Sequence, residues 1–169
     1  MGIGLYRARD ILLQTPTGDG RGIDDVKGGL CMNAYQEMKN RHQKEIGEFP
    51  SFFAFNDKQF KEGMEKLGVK DTNELCQGFA GMVYRKADTG KLKELLERQD
   101  KETKAAFKDD KILHDAIVYE LANHEYCVTY DETDTLRALG IGRNELMQDG
   151  RLADIFEKAR ADYLDSVEY

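Results

Sequence analysis

Apolar residues recur at three- and four-residue steps along much of the chain, and this spacing predicts amphipathic helices. Six predicted helices begin at or near residues that can start a helix, namely Met32, Asn56 or Asp57, Asp88, Asp109, Asp131 or Thr133, and Asp149. Gly47 and Pro50 end the first of them. Gly68 and Gly140 end the second and fifth, since glycine readily adopts the left-handed backbone that closes a helix.

Three short segments are instead rich in aromatic or β-branched residues, which favour strands. They are Phe49–Phe55, Phe79–Tyr84 and Tyr126–Tyr130. Helices and strands are mixed along the chain without a regular alternation. The pattern therefore predicts the α+β class, with a small antiparallel sheet of about three strands packed with five or six helices.

Residues 1–31 differ from the rest of the chain. They hold seven of the sixteen glycines, and their apolar residues keep no sustained period. Glycine and proline between residues 15 and 22 are typical of turns and linkers. We predict an N-terminal arm over residues 1–31 and a single α+β domain over residues 32–169.

Charge and composition exclude several classes of protein. The chain of 169 residues has a formal net charge of −7, which disfavours generic binding to a nucleic-acid backbone. It has no apolar run near the roughly 20 residues that span a bilayer. Three cysteines at wide spacing are typical of reduced thiols. We expect a cytoplasmic protein that binds neither membranes nor nucleic acid directly.

One cluster carries residue types that could hold a metal ion. Glu120 and His124 lie four residues apart and so share a helix face, and Cys127 follows shortly after. With Cys76 from another predicted segment they would offer zinc its preferred nitrogen and sulfur ligands. The fourth ligand stays open among His114, Glu120 and Asp131.

A structural interpretation of the same cluster is favoured over zinc. A histidine at the C-terminus of a helix is stabilised by the helix dipole and can be hydrogen-bonded in a packed corner. Cys76 and Cys127 would then be buried small apolar residues. We therefore expect no cofactor, with a structural zinc as the alternative, and we assign no catalytic residue.

A second feature is electrostatic. No lysine or arginine occurs between Lys111 and Arg137. Six acidic residues lie in this stretch, namely Asp115, Glu120, Glu125, Asp131, Glu132 and Asp134. An acidic surface that also carries aromatic residues could dock on a basic surface of another protein. The alternative is a face that is merely solvated.

Two parts of the chain resemble a known family. The motifs are Phe52–Gly63, and Asn123–Tyr126 followed by Thr129–Asp131 and Thr135–Gly140. Together they resemble a family of small uncharacterised proteins from bacterial plasmids, prophages and phages. The resemblance implies a mobile-element setting, in which small acidic proteins often inhibit host defence, as anti-CRISPR proteins do.

These observations favour a non-enzymatic binding protein of a phage or mobile element. Its expected partner is the basic surface of a host defence or nucleic-acid-handling enzyme, such as a CRISPR-Cas effector. The alternative is a zinc-assisted hydrolase centred on His124, Glu120 and Cys127.

Overall fold

The computed structural model describes residues 33–167. Within this range the contacts between Cα atoms separate two compact units. Residues 41–102 form one, here called the sheet unit, and residues 33–40 with 103–167 form the other, the helical unit. The predicted arm, residues 1–31, lies outside the described residues, and the single domain over residues 32–169 stays a prediction.

The sheet unit contains three short strands. They are β1 (Ser51–Phe52), β2 (Leu75–Gln77) and β3 (Val83–Arg85). Both pairings are antiparallel and the order is β1-β3-β2. Tyr84 in the central strand lies opposite Ser51 on one side and Cys76 on the other. The predicted α+β class with a small antiparallel sheet is confirmed.

Eight α-helices occur among the described residues. They are α1 (Ala34–Glu48), α2 (Asp57–Leu67), α3 (Thr89–Ala106), α4 (Asp110–Asn123), α5 (Tyr126–Thr129), α6 (Thr133–Leu139), α7 (Arg143–Gln148) and α8 (Gly150–Val167). Six match the predicted helices, and α5 and α7 are additional. Within residues 33–167 no helix combines the length and the apolar character needed to span a membrane.

Local capping explains how α2 begins and ends. The Asn56 side chain accepts a hydrogen bond from the Gln59 N–H at 2.9 Å, and the Gln59 side chain accepts one from the Phe55 N–H at 2.8 Å. This reciprocal pair satisfies backbone donors that have no partner within the helix. Gly68 closes α2 with a φ of 68°. Both the Asn56 cap and the Gly68 stop were predictable from sequence.

The sheet unit buries its apolar residues in two clusters. Ile46, Phe49 and Met82 are buried in one, and Phe52 is buried in the other with Val69. A close approach at Gly63 fixes α2 against β1. A Cβ atom at this position would lie 2.2 Å from the Phe52 ring, so only glycine allows the observed packing.

The helical unit has a core of its own. Its buried residues include Leu113, Ile117 and Leu121 of α4, and Phe156 and Tyr163 of α8. The Asp109 side chain accepts hydrogen bonds from the backbone N–H groups of Lys111 and Ile112 and so caps α4, as the sequence predicts.

The structure corrects part of the strand prediction. Tyr126–Tyr130 was predicted as a strand, but residues 126–129 form the helix α5. Phe79–Gly81 is a 3₁₀ turn, and only the end of the predicted segment Phe79–Tyr84 belongs to β3. Phe49–Phe55 contributes only the two residues of β1. The residues of β2 lie outside the three predicted strand segments. Aromatic content alone does not distinguish strands from short helices and turns whose side chains the core buries.

Candidate functional site

A short turn of helix between α4 and α6 has an unusual backbone. Glu125 precedes α5 with a φ of 53°, and Tyr130 follows it with a φ of 52°. A left-handed conformation is uncommon outside glycine and is an outlier for a bulky residue such as tyrosine. It costs on the order of 1–2 kcal/mol per residue. Backbone strain of this kind concentrates at functional sites. Residues 125–134 contain both strained positions and are here called the α5 segment.

Tyr126 anchors the α5 segment to the core of the helical unit. Its side chain is buried, and its ring meets the Tyr130 ring at 5.7 Å and the Tyr163 ring at 6.4 Å. The Tyr130 N–H donates a hydrogen bond to the Tyr126 carbonyl at 2.8 Å. The anchored turn leaves two large apolar side chains in solvent, since Val128 is 74% exposed and Tyr130 is 67% exposed.

Asp131 lies beside the exposed Tyr130 and organises the next turn. Its Oδ1 atom accepts hydrogen bonds from the Thr133 hydroxyl at 2.6 Å and from the Thr133 N–H at 2.9 Å. These bonds, the hydroxyl first, lower the pKa of the Asp131 carboxyl below its usual value. Asp131 is thus held as an exposed carboxylate next to an exposed aromatic ring.

Three of the other predicted acidic residues have basic neighbours from outside the acidic stretch. Three ion pairs form, namely Lys111–Asp115 at 2.6 Å, Arg137–Asp134 at 2.6 Å and Arg143–Glu132 at 3.3 Å. The six predicted residues therefore do not form one uncompensated acidic face. Glu125 and Asp131, which flank α5, are the exposed carboxylates next to Val128 and Tyr130.

Glu120 does not belong to this surface. Its side chain has no exposed area, so in this fold it is not available for contact with a partner. The Oε1 atom accepts hydrogen bonds from the Tyr35 hydroxyl at 2.6 Å and from the Lys39 ammonium at 2.7 Å. Oε2 accepts one from the Asn123 amide at 3.3 Å. Burial of a carboxylate requires such partners.

His124 ends α4, as the structural interpretation expects. Its backbone N–H donates to the Glu120 carbonyl at 3.0 Å. The ring Nε2 atom lies 3.4 Å from Glu120 Oε2, but the direction of the contact does not make a hydrogen bond. Among the described residues this buried nitrogen has no hydrogen-bond partner, so Nε2 does not form the predicted bond.

The predicted zinc ligands do not fit a zinc site in this arrangement. Within residues 33–167 no three or more His, Cys, Asp or Glu side chains are close enough together to hold a metal ion. Cys127 packs against the core of the helical unit. Burial raises the pKa of the Tyr163 hydroxyl, as does its hydrogen bond with the Cys127 side chain.

Two further residues named for zinc, Cys76 and His114, lie on other elements. Cys76 belongs to the sheet unit, on β2. His114, one of the alternatives for the fourth ligand, has its Nε2 atom 2.8 Å from an Asp162 oxygen. The zinc hypothesis stays a prediction.

Charge is unequally divided between the two units. The sheet unit, residues 41–102, has twelve Lys and Arg and twelve Asp and Glu. The described part of the helical unit has nine Lys and Arg against fifteen Asp and Glu. The negative charge of the described residues therefore lies in the unit that carries the α5 segment.

Sequence reasoning missed Val128 and Tyr130 as surface residues. A strand over Tyr126–Tyr130 would have placed alternate side chains on opposite faces, one of them in the core. The left-handed backbone at Tyr130 has no signal in the sequence, because neither glycine nor asparagine occupies that position. Only the tertiary packing of Tyr126 shows which side chains remain outside.

Comparison with known proteins identifies the chain at the level of its family. No curated protein and no solved structure matches the chain. A family described as a family of unknown function, DUF7659, matches residues 34–162, which include most of both units. The chain therefore belongs to the DUF7659 family of unknown function.

Proposed function

We propose that the protein is a non-enzymatic binding protein whose α5 segment docks on a basic surface of another protein. The observation that carries this proposal is the exposure of Val128 and Tyr130 on a strained, anchored turn. Glu125 and Asp131 flank these side chains with negative charge.

The exposed residues have the properties of an interface centre. Tyrosine is enriched among the residues that carry most of the binding energy at interfaces. The hydrogen bond from the Tyr130 N–H and the contact with the Tyr126 ring restrain the side chain before binding. A restrained residue loses little conformational entropy when a partner covers it.

Charge favours a basic partner. The excess of acidic residues in the helical unit attracts a positive surface and accelerates encounter, and the two carboxylates beside α5 would set orientation. The ion pairs of Asp134 with Arg137 and of Glu132 with Arg143 already compensate part of the negative charge near α5. The apolar side chains therefore supply most of the affinity, and the carboxylates supply rate and specificity.

We further propose that the partner is a host defence or nucleic-acid-handling enzyme, such as a CRISPR-Cas effector. On this proposal the chain is encoded by a phage or mobile element and inhibits that enzyme. The support for this identity is the negative charge of the helical unit and the resemblance of the two sequence motifs. Surfaces that bind nucleic acid are basic and would accept such a segment. The hydrolase alternative gains no support, because Glu120 is shielded from solvent.

Docking through the α5 segment, whatever the partner, is tested with variants of the full chain. Proteins captured by the wild type are compared with those captured by the V128S/Y130S variant and by M147S. Met147 is the matched control, since it is 78% exposed in the same unit but lies outside the α5 segment. We expect a captured protein that binds the wild type and M147S and is lost with V128S/Y130S. Equal capture by all three proteins contradicts the proposal.

The proposed identity of the partner is tested with a purified, guide-loaded CRISPR-Cas effector. Binding to the effector should weaken when DNA is added. The E125Q/D131N variant should associate more slowly at low salt and respond less to added salt, because exposed charges act mainly on encounter. Absence of binding to the effector would refute this identity of the partner. Docking through the α5 segment would then be decided by the capture experiment.

A further inference from the structure

We propose that two copies of this chain form a symmetric dimer through the sheet unit, with Phe55 of each copy inserted into a cleft of the other. This surface belongs to the sheet unit, whereas the α5 segment belongs to the helical unit. It offers an exposed aromatic side chain, a cleft and two opposite charges, all within residues 46–82.

The cleft lies between the start of the sheet and the end of α2. It has a volume of about 420 Å³ and is lined by the apolar side chains of Ile46, Phe52, Phe53 and Met82. Among the described residues that line the cleft, Lys66 is the one with a charged side chain. Sites of about 300–1,000 Å³ enclose drug-sized molecules, so this cleft is large enough for a benzyl side chain.

Phe55 is the side chain that matches such a cleft. It is 89% exposed, the largest value among the exposed large apolar residues described. Its backbone is fixed, because its N–H donates to the Gln59 side chain at 2.8 Å and Gln59 is held in turn by Asn56. A large aromatic ring on a rigid backbone loses little entropy when it is buried by a partner.

Two charges on α2 make the surface complementary to itself. Asp57 begins the helix and Lys66 lies in its last turn. Within residues 33–167 neither side chain forms an ion pair, whereas Lys58 on the same helix lies 3.8 Å from Glu62. They are nine residues apart, which corresponds to about 13 Å along a helix, so they cannot pair within one copy.

A two-fold axis would place Phe55 in the partner's cleft and at the same time bring Asp57 near the partner's Lys66. In a symmetric dimer each contact occurs twice, with residue i of one copy against residue j of the other. When Phe55 enters the partner's cleft, Asp57, two residues later, approaches the Lys66 that lines that cleft. The sheet unit has equal numbers of acidic and basic residues, so the unit that would form the interface carries no net charge of its own. These matches favour a second copy over an unrelated occupant.

The test is the sedimentation of the full-length protein over about two decades of concentration. The variants are F55S, D57K, K66D and the D57K/K66D exchange, with Y130S as the control from the helical unit. Each variant should fold, since all these side chains are exposed. Circular dichroism and thermal melting check this.

We expect a reversible dimer in the wild type and in Y130S. F55S should weaken dimerisation by about tenfold or more, because it removes the central aromatic residue. D57K and K66D should each weaken it by placing like charges together, and the exchange variant should recover most of the loss. A wild type that stays monomeric, a dimer unaffected by F55S, or an exchange no better than the single variants would each overturn the proposal.

Discussion

The Lys39 ammonium lies 2.7 Å from the Oε1 atom of Glu120, a carboxylate that is fully shielded from solvent. The Tyr35 hydroxyl donates to the same oxygen at 2.6 Å. These two bonds join the first half of α1 to the last turn of α4 within the helical unit. Charge-assisted hydrogen bonds are shorter and stronger than neutral ones. We infer that they stabilise the unit that carries the α5 segment.

Removal of Lys39 should be costly. K39M leaves the Glu120 carboxylate buried without its counter-charge, and breaking a buried pair in this way costs about 3–5 kcal/mol. The double variant K39M/E120Q removes the charge as well and should recover part of the loss. Chemical denaturation of each protein measures these free energies of unfolding.

The matched control is K111M, which breaks the Lys111–Asp115 pair on an exposed part of α4. Surface pairs contribute about 0–1 kcal/mol. If K39M and K111M lowered the free energy of unfolding equally, the buried pair would have no special role.

Replacement of Tyr130 by glycine should stabilise the fold or leave it unchanged. Glycine adopts the observed φ of 52° without the cost that tyrosine bears, a gain of about 1 kcal/mol, while the ring contact with Tyr126 is lost. T129G is the control, since it places glycine inside α5 and should lower stability by about 0.5–1 kcal/mol. Urea denaturation measures the change in the free energy of unfolding for each variant. A marked loss of stability in Y130G would show that the ring is structural.

Asp88 should make stability depend on pH in acid. Its Oδ1 accepts a hydrogen bond from Lys91 at 2.9 Å and its Oδ2 accepts one from Arg85 at 2.7 Å. These bonds, Lys91 first, lower the pKa of the Asp88 carboxyl. The resulting stabilisation is complete above the ordinary aspartate pKa of about 3.9 and is lost as the pH falls through the lower value in the folded state.

D88N should therefore be less stable than the wild type at neutral pH, and the difference should shrink below about pH 4. K91Q removes the first hydrogen bond and should show part of the same effect. Urea denaturation at a series of pH values tests this, and a difference that stays constant in acid would contradict it.

Gly63 should tolerate no side chain. A Cβ atom would lie 2.2 Å from the buried Phe52 ring, so G63A should destabilise the protein by about 1–3 kcal/mol. Gly90 in α3 is the control, because a Cβ there meets nothing within 4 Å. G90A should be neutral or stabilising by up to about 1 kcal/mol. Thermal melting of the two variants compares them directly, and equal effects would refute the close packing of α2 on β1.

Features set by neighbouring residues were predictable from the sequence. The Asn56 and Asp109 caps and the Gly68 and Gly140 stops are confirmed, because a cap or a left-handed glycine depends on the residues immediately around it. Features set by distant residues were not. Tyr35 and Glu120 are 85 residues apart, and no local pattern shows that their side chains meet.

The errors have the same origin. Phe55 was predicted inside a buried strand, yet it is almost fully exposed, because the strand ends at Phe52 and the chain then turns to start α2. Tyr126–Tyr130 has strand-like composition, but burial of Tyr126 and the turns on either side of α5 impose a helix. Tertiary packing overrides the composition of such short segments.

The affinity of Y130G for the protein captured by the wild type tests the central proposal most directly. This variant removes the exposed ring from the α5 segment while relieving backbone strain, and the urea denaturation described above separates a loss of binding from a loss of folding. We predict that the dissociation constant measured for Y130G is at least about tenfold higher than that of the wild type, whereas M147S binds normally. Equal affinities of Y130G and the wild type would contradict binding through the α5 segment.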